Sequence, residues 1–160
     1  MTFPKSVGQI PFAFPFKPGS DESSETSVYG ALYPFGHGLS YTTFQYSDLV
    51  ISPSKQGVQG NISISCTIKN IGQREGDEVV QLYLRDEVSS VTTYTQVLRG
   101  FERITLKPEA SHTVHFELTP QELAIWDKQM NFTVEPGMFK VMIGSSSKDI
   151  RLKGEFEIAQ

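Results

Sequence analysis

From residue 44 to the end, the chain alternates apolar and polar positions with a period of two, the pattern of strands that bury one face. Seven such runs are separated by turn signals. Residues 44–51 form the first, closed by Ser52-Pro53. The second, residues 60–70, places Ile62, Ile64, Cys66 and Ile68 on one face and Ser63, Ser65, Thr67 and Lys69 on the other. After the turn Asn70-Ile71-Gly72, the third run, residues 78–86, points Val80, Leu82 and Leu84 inward and Gln81, Tyr83 and Arg85 outward. A fourth, residues 96–106, loses strict alternation around Gly100 and Phe101, which predicts a bulge or a change of sheet. Val114, Phe116 and Leu118 are the inward set of the fifth, residues 111–118. Thr119-Pro120-Gln121-Glu122 then reads as one capped helical turn, with an N-cap threonine, proline at the first helical position and a glutamate three residues on. Core packing of Leu123, Ile125 or Trp126 is expected just beyond it. Pro136-Gly137 reads as a turn that favours glycine at a positive φ. Phe139, Val141 and Ile143 follow as a sixth run, and Ile150, Leu152, Phe156 and Ile158 as a seventh. Seven short strands with almost no helix predict an all-β fold, a seven-stranded antiparallel sandwich of the immunoglobulin kind.

Residues 1–43 follow a different rule. They hold five of the nine prolines and eight of the eighteen aromatic residues, a spacing that suits neither helix nor sustained strand. Disordered linkers are poor in aromatics, so this segment is expected to lie extended against a surface. The predicted division is an arm and linker over 1–43 and a sandwich over 44–160. In an extended arm Phe12, Phe14 and Phe16 alternate with Ala13 and Pro15, which leaves apolar surface for a partner. Residues 19–26, GSDESSET, read as a polar loop within the arm.

Bulk properties narrow the partners. The net charge is -4 and no lysine or arginine cluster exceeds a pair, which argues against nucleic acid. No run of about 18 apolar residues marks a membrane span, and residues 1–10 carry no apolar signal core. The lone Cys66 is in phase with its isoleucine neighbours and reads as a core residue. Gly36-His37-Gly38 lacks the third glycine of a dinucleotide site, so His37 is read as a structural residue at a junction, and no cofactor is expected. Asp77-Glu78 and Asp86-Glu87 read as solvated strand-end charges, and Asp21, Glu22 and Glu25 lack apolar neighbours that could raise a pKa. His112 and His115, three apart in a strand, face opposite sides and cannot share a metal. Tyr83 and Tyr94 are read as exposed aromatics, and Trp126 as core in preference to a sugar-stacking platform. The sequons at Asn61 and Asn131 are read as chance occurrences.

Residues 33–44, YPFGHGLSYTTF, resemble the linker of family 3 glycoside hydrolases, the β-glucosidases and β-xylosidases. The similarity continues through residues 2–18 (TFPKSVGQIPFAFPFKP), 100–108 (GFERITLKP) and 134–144 (VEPGMFKVMIG). The resemblance implies the C-terminal part of such an enzyme, a linker plus a fibronectin type III-like domain. It places the catalytic aspartate in an upstream barrel and the acid/base, commonly a glutamate, in an upstream α/β sandwich domain or its loops. No residue here inherits either role. The implied function is a non-catalytic domain that braces the α/β sandwich domain of a parent hydrolase, itself periplasmic or secreted. Phe12, Phe14, Phe16, Tyr33, Phe35, His37 and Tyr41 are the candidate domain-packing residues. Two alternatives remain: a carbohydrate-binding module, motivated by Tyr83, Tyr94 and Trp126, and a protein-protein interaction module using the arm.

Overall fold

The structure, a computed structural model, describes residues 2–8, 14–18 and 30–160. Phe12 and residues 19–26 lie outside that set. Two short strands belong to the arm, β1 (Phe3–Pro4) and β2 (Ala31–Tyr33). The sandwich then runs β3 (Phe44–Ser52), β4 (Lys55–Gly57), β5 (Ile62–Asn70), β6 (Gly76–Asp86), β7 (Val97–Leu106) and β8 (Ser111–Leu118). After the helical turn α1 (Pro120–Leu123) come β9 (Ile125–Trp126), β10 (Phe132–Thr133), β11 (Gly137–Gly144) and β12 (Ile150–Ala159). All seven predicted runs are strands.

One sheet has the order β3-β5-β8 and the other β4-β12-β11-β6-β7, with β4 parallel to β12 and the remaining pairs antiparallel. Between them lies the core predicted by alternation. Ile62, Ile64, Cys66, Ile68 and Val114 of the smaller sheet meet Val80, Leu82, Val141, Ile143, Phe156 and Ile158 of the larger. Phe139 and Phe156 stack with ring centroids 5.4 Å apart. Burial of this kind is worth about 1.5–3 kcal/mol per large side chain, which is why the period-2 signal dictates register so strongly.

Two bulges adjust the pattern. In β3, Ser47 pairs with Thr67 and Val50 with Ser65, so two residues of β3 oppose Cys66 alone; Asp48 takes up the extra residue at φ 52°. The inward set accordingly shifts phase, from Phe44 and Tyr46 to Leu49 and Ile51. In β7, Leu82 pairs with Gly100 and Tyr83 with Leu98, leaving Arg99 as the extra residue. This is the irregularity foreseen near Gly100. There the absence of a Cβ admits the Phe116 ring, whose Cδ1 lies 2.9 Å from where a Cβ would stand.

Three expectations are corrected here. Gln81 and Tyr83 face away from the core as predicted, yet both are buried, Tyr83 completely, because the arm covers that face of the sheet. Trp126 is 58% exposed: the turn brings Leu123 onto the core and then reverses through the β9–β10 pair, so the indole packs on Phe132 at 5.3 Å instead. Gly137 adopts no positive φ; it opens β11, and among the described residues the positive-φ glycines are Gly30 and Gly36. The capped turn itself forms as expected, with Glu122 accepting from both the Thr119 amide and hydroxyl.

Candidate functional site

The arm is fastened to the outer face of β6 and β11 by aromatic packing and by backbone hydrogen bonds. Phe14 stacks on Phe35 with centroids 4.4 Å apart and meets Tyr83 and Phe16 edge-on at 5.8 and 6.3 Å. Edge-on and offset contacts suit the ring quadrupoles. Thr95 donates to the Phe16 carbonyl from its amide at 2.9 Å and its hydroxyl at 3.1 Å, and the Ser147 amide donates to the Phe35 carbonyl at 2.9 Å.

Gln81 is the polar centre of this contact. Its Nε2 donates to the carbonyls of Gly36 at 3.0 Å and Ser145 at 2.6 Å, while its Oε1 accepts from the Tyr83 hydroxyl at 2.5 Å. Burial pushes the Tyr83 phenol upward, so it stays a donor. Gly36 sits at φ 80°, and a Cβ there would meet Gln81 Oε1 at 2.0 Å. Both conformation and space therefore require glycine. The next residues are tied to the β5–β6 turn: Ser40 Oγ donates to the Asp77 carbonyl at 3.1 Å and Thr42 Oγ1 to Asn70 Oδ1 at 2.7 Å. Asn70, fully buried, donates onward to the carbonyls of Arg74 and Leu106, both at 2.8 Å.

The candidate packing residues thus divide. Phe14, Phe16 and Phe35 are partly buried against this sheet. Tyr33 meets Phe3 edge-on at 6.1 Å across β1–β2 and stacks on His37 at 5.2 Å. That pair remains exposed. Tyr41 is 91% exposed and its neighbour Leu39 94%. Leu39 and Gly36–Ser40 form one wall of an open groove of about 780 Å³ whose opposite wall includes Asp77, Glu78, Phe101, Arg103 and Arg151.

The carboxylates in and around this groove are not all solvated as expected. Asp77 is, and Arg103 with Thr105 holds it below the usual range. Burial pushes Glu78 upward, against the opposing pull of a hydrogen bond from Tyr46 Oη at 3.0 Å and of Arg151. Asp86, at the other end of β6, is pushed up to about 6, first by burial. Eight residues of strand separate Glu78 from Asp86, about 27 Å, far beyond the roughly 5–10 Å at which two carboxyl groups act across a glycosidic bond. His112 and His115 are both exposed, His112 3.4 Å from Glu102, and among the described residues no group of three metal-binding side chains converges. Burial pushes the Cys66 thiol up to about 11, as suits an inert core residue.

Comparison with known proteins agrees with this architecture. Residues 78–147 match the model of the fibronectin type III-like domain. A periplasmic β-glucosidase of Salmonella typhimurium is 41% identical over 170 aligned residues, covering 99% of this chain and 22% of its own length. A β-xylosidase of Formosa agariphila is 42% identical, covering 96% of this chain and 22% of its own. Among solved structures, a β-glucosidase from Erythrobacter marinus superposes with a TM-score of 0.91 at 34% identity, over 99% of this chain and 21% of that one. The chain therefore spans about a fifth of the length of the relatives it matches.

Proposed function

The chain belongs to the C-terminal, fibronectin type III-like region of family 3 glycoside hydrolases, and we propose that it serves there as a non-catalytic brace for the α/β sandwich domain of a β-glucosidase- or β-xylosidase-type parent. The observation that carries this reading is the linker, whose backbone is held to the sandwich while Tyr33, His37, Leu39 and Tyr41 turn outward. An exposed apolar row on a fixed scaffold is the form of a docking surface. Residues 1–43 act as the arm and residues 44–160 as the domain it anchors. The name of the Salmonella typhimurium relative supports a parent that works in the periplasm or outside the cell.

That the chain spans about a fifth of the hydrolases it matches supports a role without hydrolysis. Incubated with aryl β-glucosides and β-xylosides, the purified chain is expected to release no phenol above the blank. Turnover that copurifies with the chain and disappears in Glu78→Gln or Asp86→Asn would overturn the reading.

A further inference from the structure

At the end of β6 away from Leu39 lies a second recess of about 450 Å³, within the range of roughly 300–1,000 Å³ typical of small-molecule sites. Its floor is the open end of the core, Leu123 and Phe139. Its walls carry two exposed rings, Tyr94 and Trp126, together with the charged groups of Arg99, Lys17, Asp86 and Glu122. Phe132 pairs with Trp126 in the β9–β10 ladder and packs beside it, which fixes the indole while leaving it open to solvent.

The polar groups are placed by the backbone. Arg99 is the extra residue of the β7 bulge, and bulges re-aim side chains beside functional sites. Among the described residues its guanidinium makes no hydrogen bond or ion pair; the nearby Glu122 carboxylate is engaged by Thr119. Among the described residues Asp86 accepts one hydrogen bond, from the Val88 amide at 3.2 Å. The recess thus offers flat apolar rings beside a fork of donors that no described residue engages in a hydrogen bond, and a carboxylate with acceptor capacity remaining.

These features select a ligand class. A purely apolar molecule would desolvate Arg99 and Asp86 without giving either a partner. An anion drawn by Arg99 and Lys17 would also meet Asp86, Glu122 and the nearby Glu135, and a cation drawn by those carboxylates would meet Arg99 and Lys17. A pyranose ring has a C–H face for the aromatic rings and adjacent hydroxyls that accept from a guanidinium while donating to a carboxylate. We propose that this cleft binds a saccharide, one sugar ring packing on Trp126 and Tyr94 with its hydroxyls held by Arg99 and Asp86. It stands apart from the bracing role, because Leu39 and Ser40 line the groove at the other end of β6.

Native electrophoresis of the chain through gels containing soluble β-glucan, xylan or dextran tests this, with calorimetry against the matching oligosaccharides separating chain-end from polymer binding. Retardation by at least one polysaccharide is expected, weakened about tenfold by Trp126→Ala, the loss of one desolvated aromatic contact. Arg99→Gln should weaken it similarly, and both variants should melt with the unchanged chain because both side chains are exposed. Unaltered mobility in every gel would overturn the proposal, as would retardation that survives both substitutions. Trp126→Ala that instead weakens association with the catalytic domains of a family 3 enzyme, with no saccharide bound by the parent chain, would reassign the cleft as a protein contact.

Discussion

Asp86 follows Leu82 and Leu84 on the inward phase of β6, so its carboxyl is carried into the mouth of the core. Burial is the largest influence on it, the Val88 amide pulls the other way, and the charges of Glu135 and Glu87 add to the upward push, leaving it at about 6. Below about pH 4, the ordinary aspartate range, the group is neutral whether the chain is folded or not. As pH rises through about 6 the folded chain has to ionise a half-buried carboxyl, and the stability present in acid is lost. Allowing for solvent screening, the cost is about 1 kcal/mol. Asp86→Asn keeps an acceptor for Val88 and removes the charge, so it should raise the melting temperature at pH 7.5 by about 2–4 °C and change nothing at pH 4. A lower melting temperature at pH 7.5, read by circular dichroism at both pH values, would contradict this account. Period-2 phase places Asp86 on the face of Leu82 and Leu84, so its position at the strand end does not leave it solvated.

The strands were legible at the scale of elements because each long one carries its own alternation, and Ile62, Ile64, Cys66 and Ile68 all reach zero exposure. Pairings of two or three residues, such as β1–β2 and β9–β10, carry no period, and Trp126 was misplaced for that reason. Alternation also separates the two faces of a strand without revealing what covers the outer one. Gln81 and Tyr83 are covered by Phe14, Phe35 and Gly36, contributed from more than forty residues upstream, and no local pattern encodes that contact. The arm's hold on the sheet centres on Gly36. Gly36→Ala would force an L side chain to φ 80° and drive its Cβ into Gln81, a loss of about 1–3 kcal/mol. Limited proteolysis should then cut within residues 30–40 faster than in the unchanged chain, while hydrogen exchange of β5 and β11 stays slow. Equal cleavage rates would mean that Gly36 does not govern the arm.

At the scale of the molecule, two groups of exposed aromatic and aliphatic side chains flank the ends of β6: Leu39, Val79 and Phe101 at one, Tyr94 and Trp126 at the other. A fold of two sheets with a shared core leaves its ends to loops, where binding residues can vary without disturbing the packed interior. The linker end has the simpler chemistry. Leu39 and Tyr41 are almost wholly exposed, so they contribute little to the chain's own stability, and burying them against a partner would be worth about 1.5–3 kcal/mol each. The double variant Leu39→Ser, Tyr41→Ser separates the two effects. In the isolated chain its melting temperature should match the unchanged protein, and its binding of an apolar fluorescent dye should fall. Introduced into a full-length family 3 hydrolase carrying this region, the same pair should lower the melting temperature by several degrees, since the lost burial belongs to the junction. If the full-length enzyme melts unchanged, the outward row is not a docking surface and the bracing role loses its support.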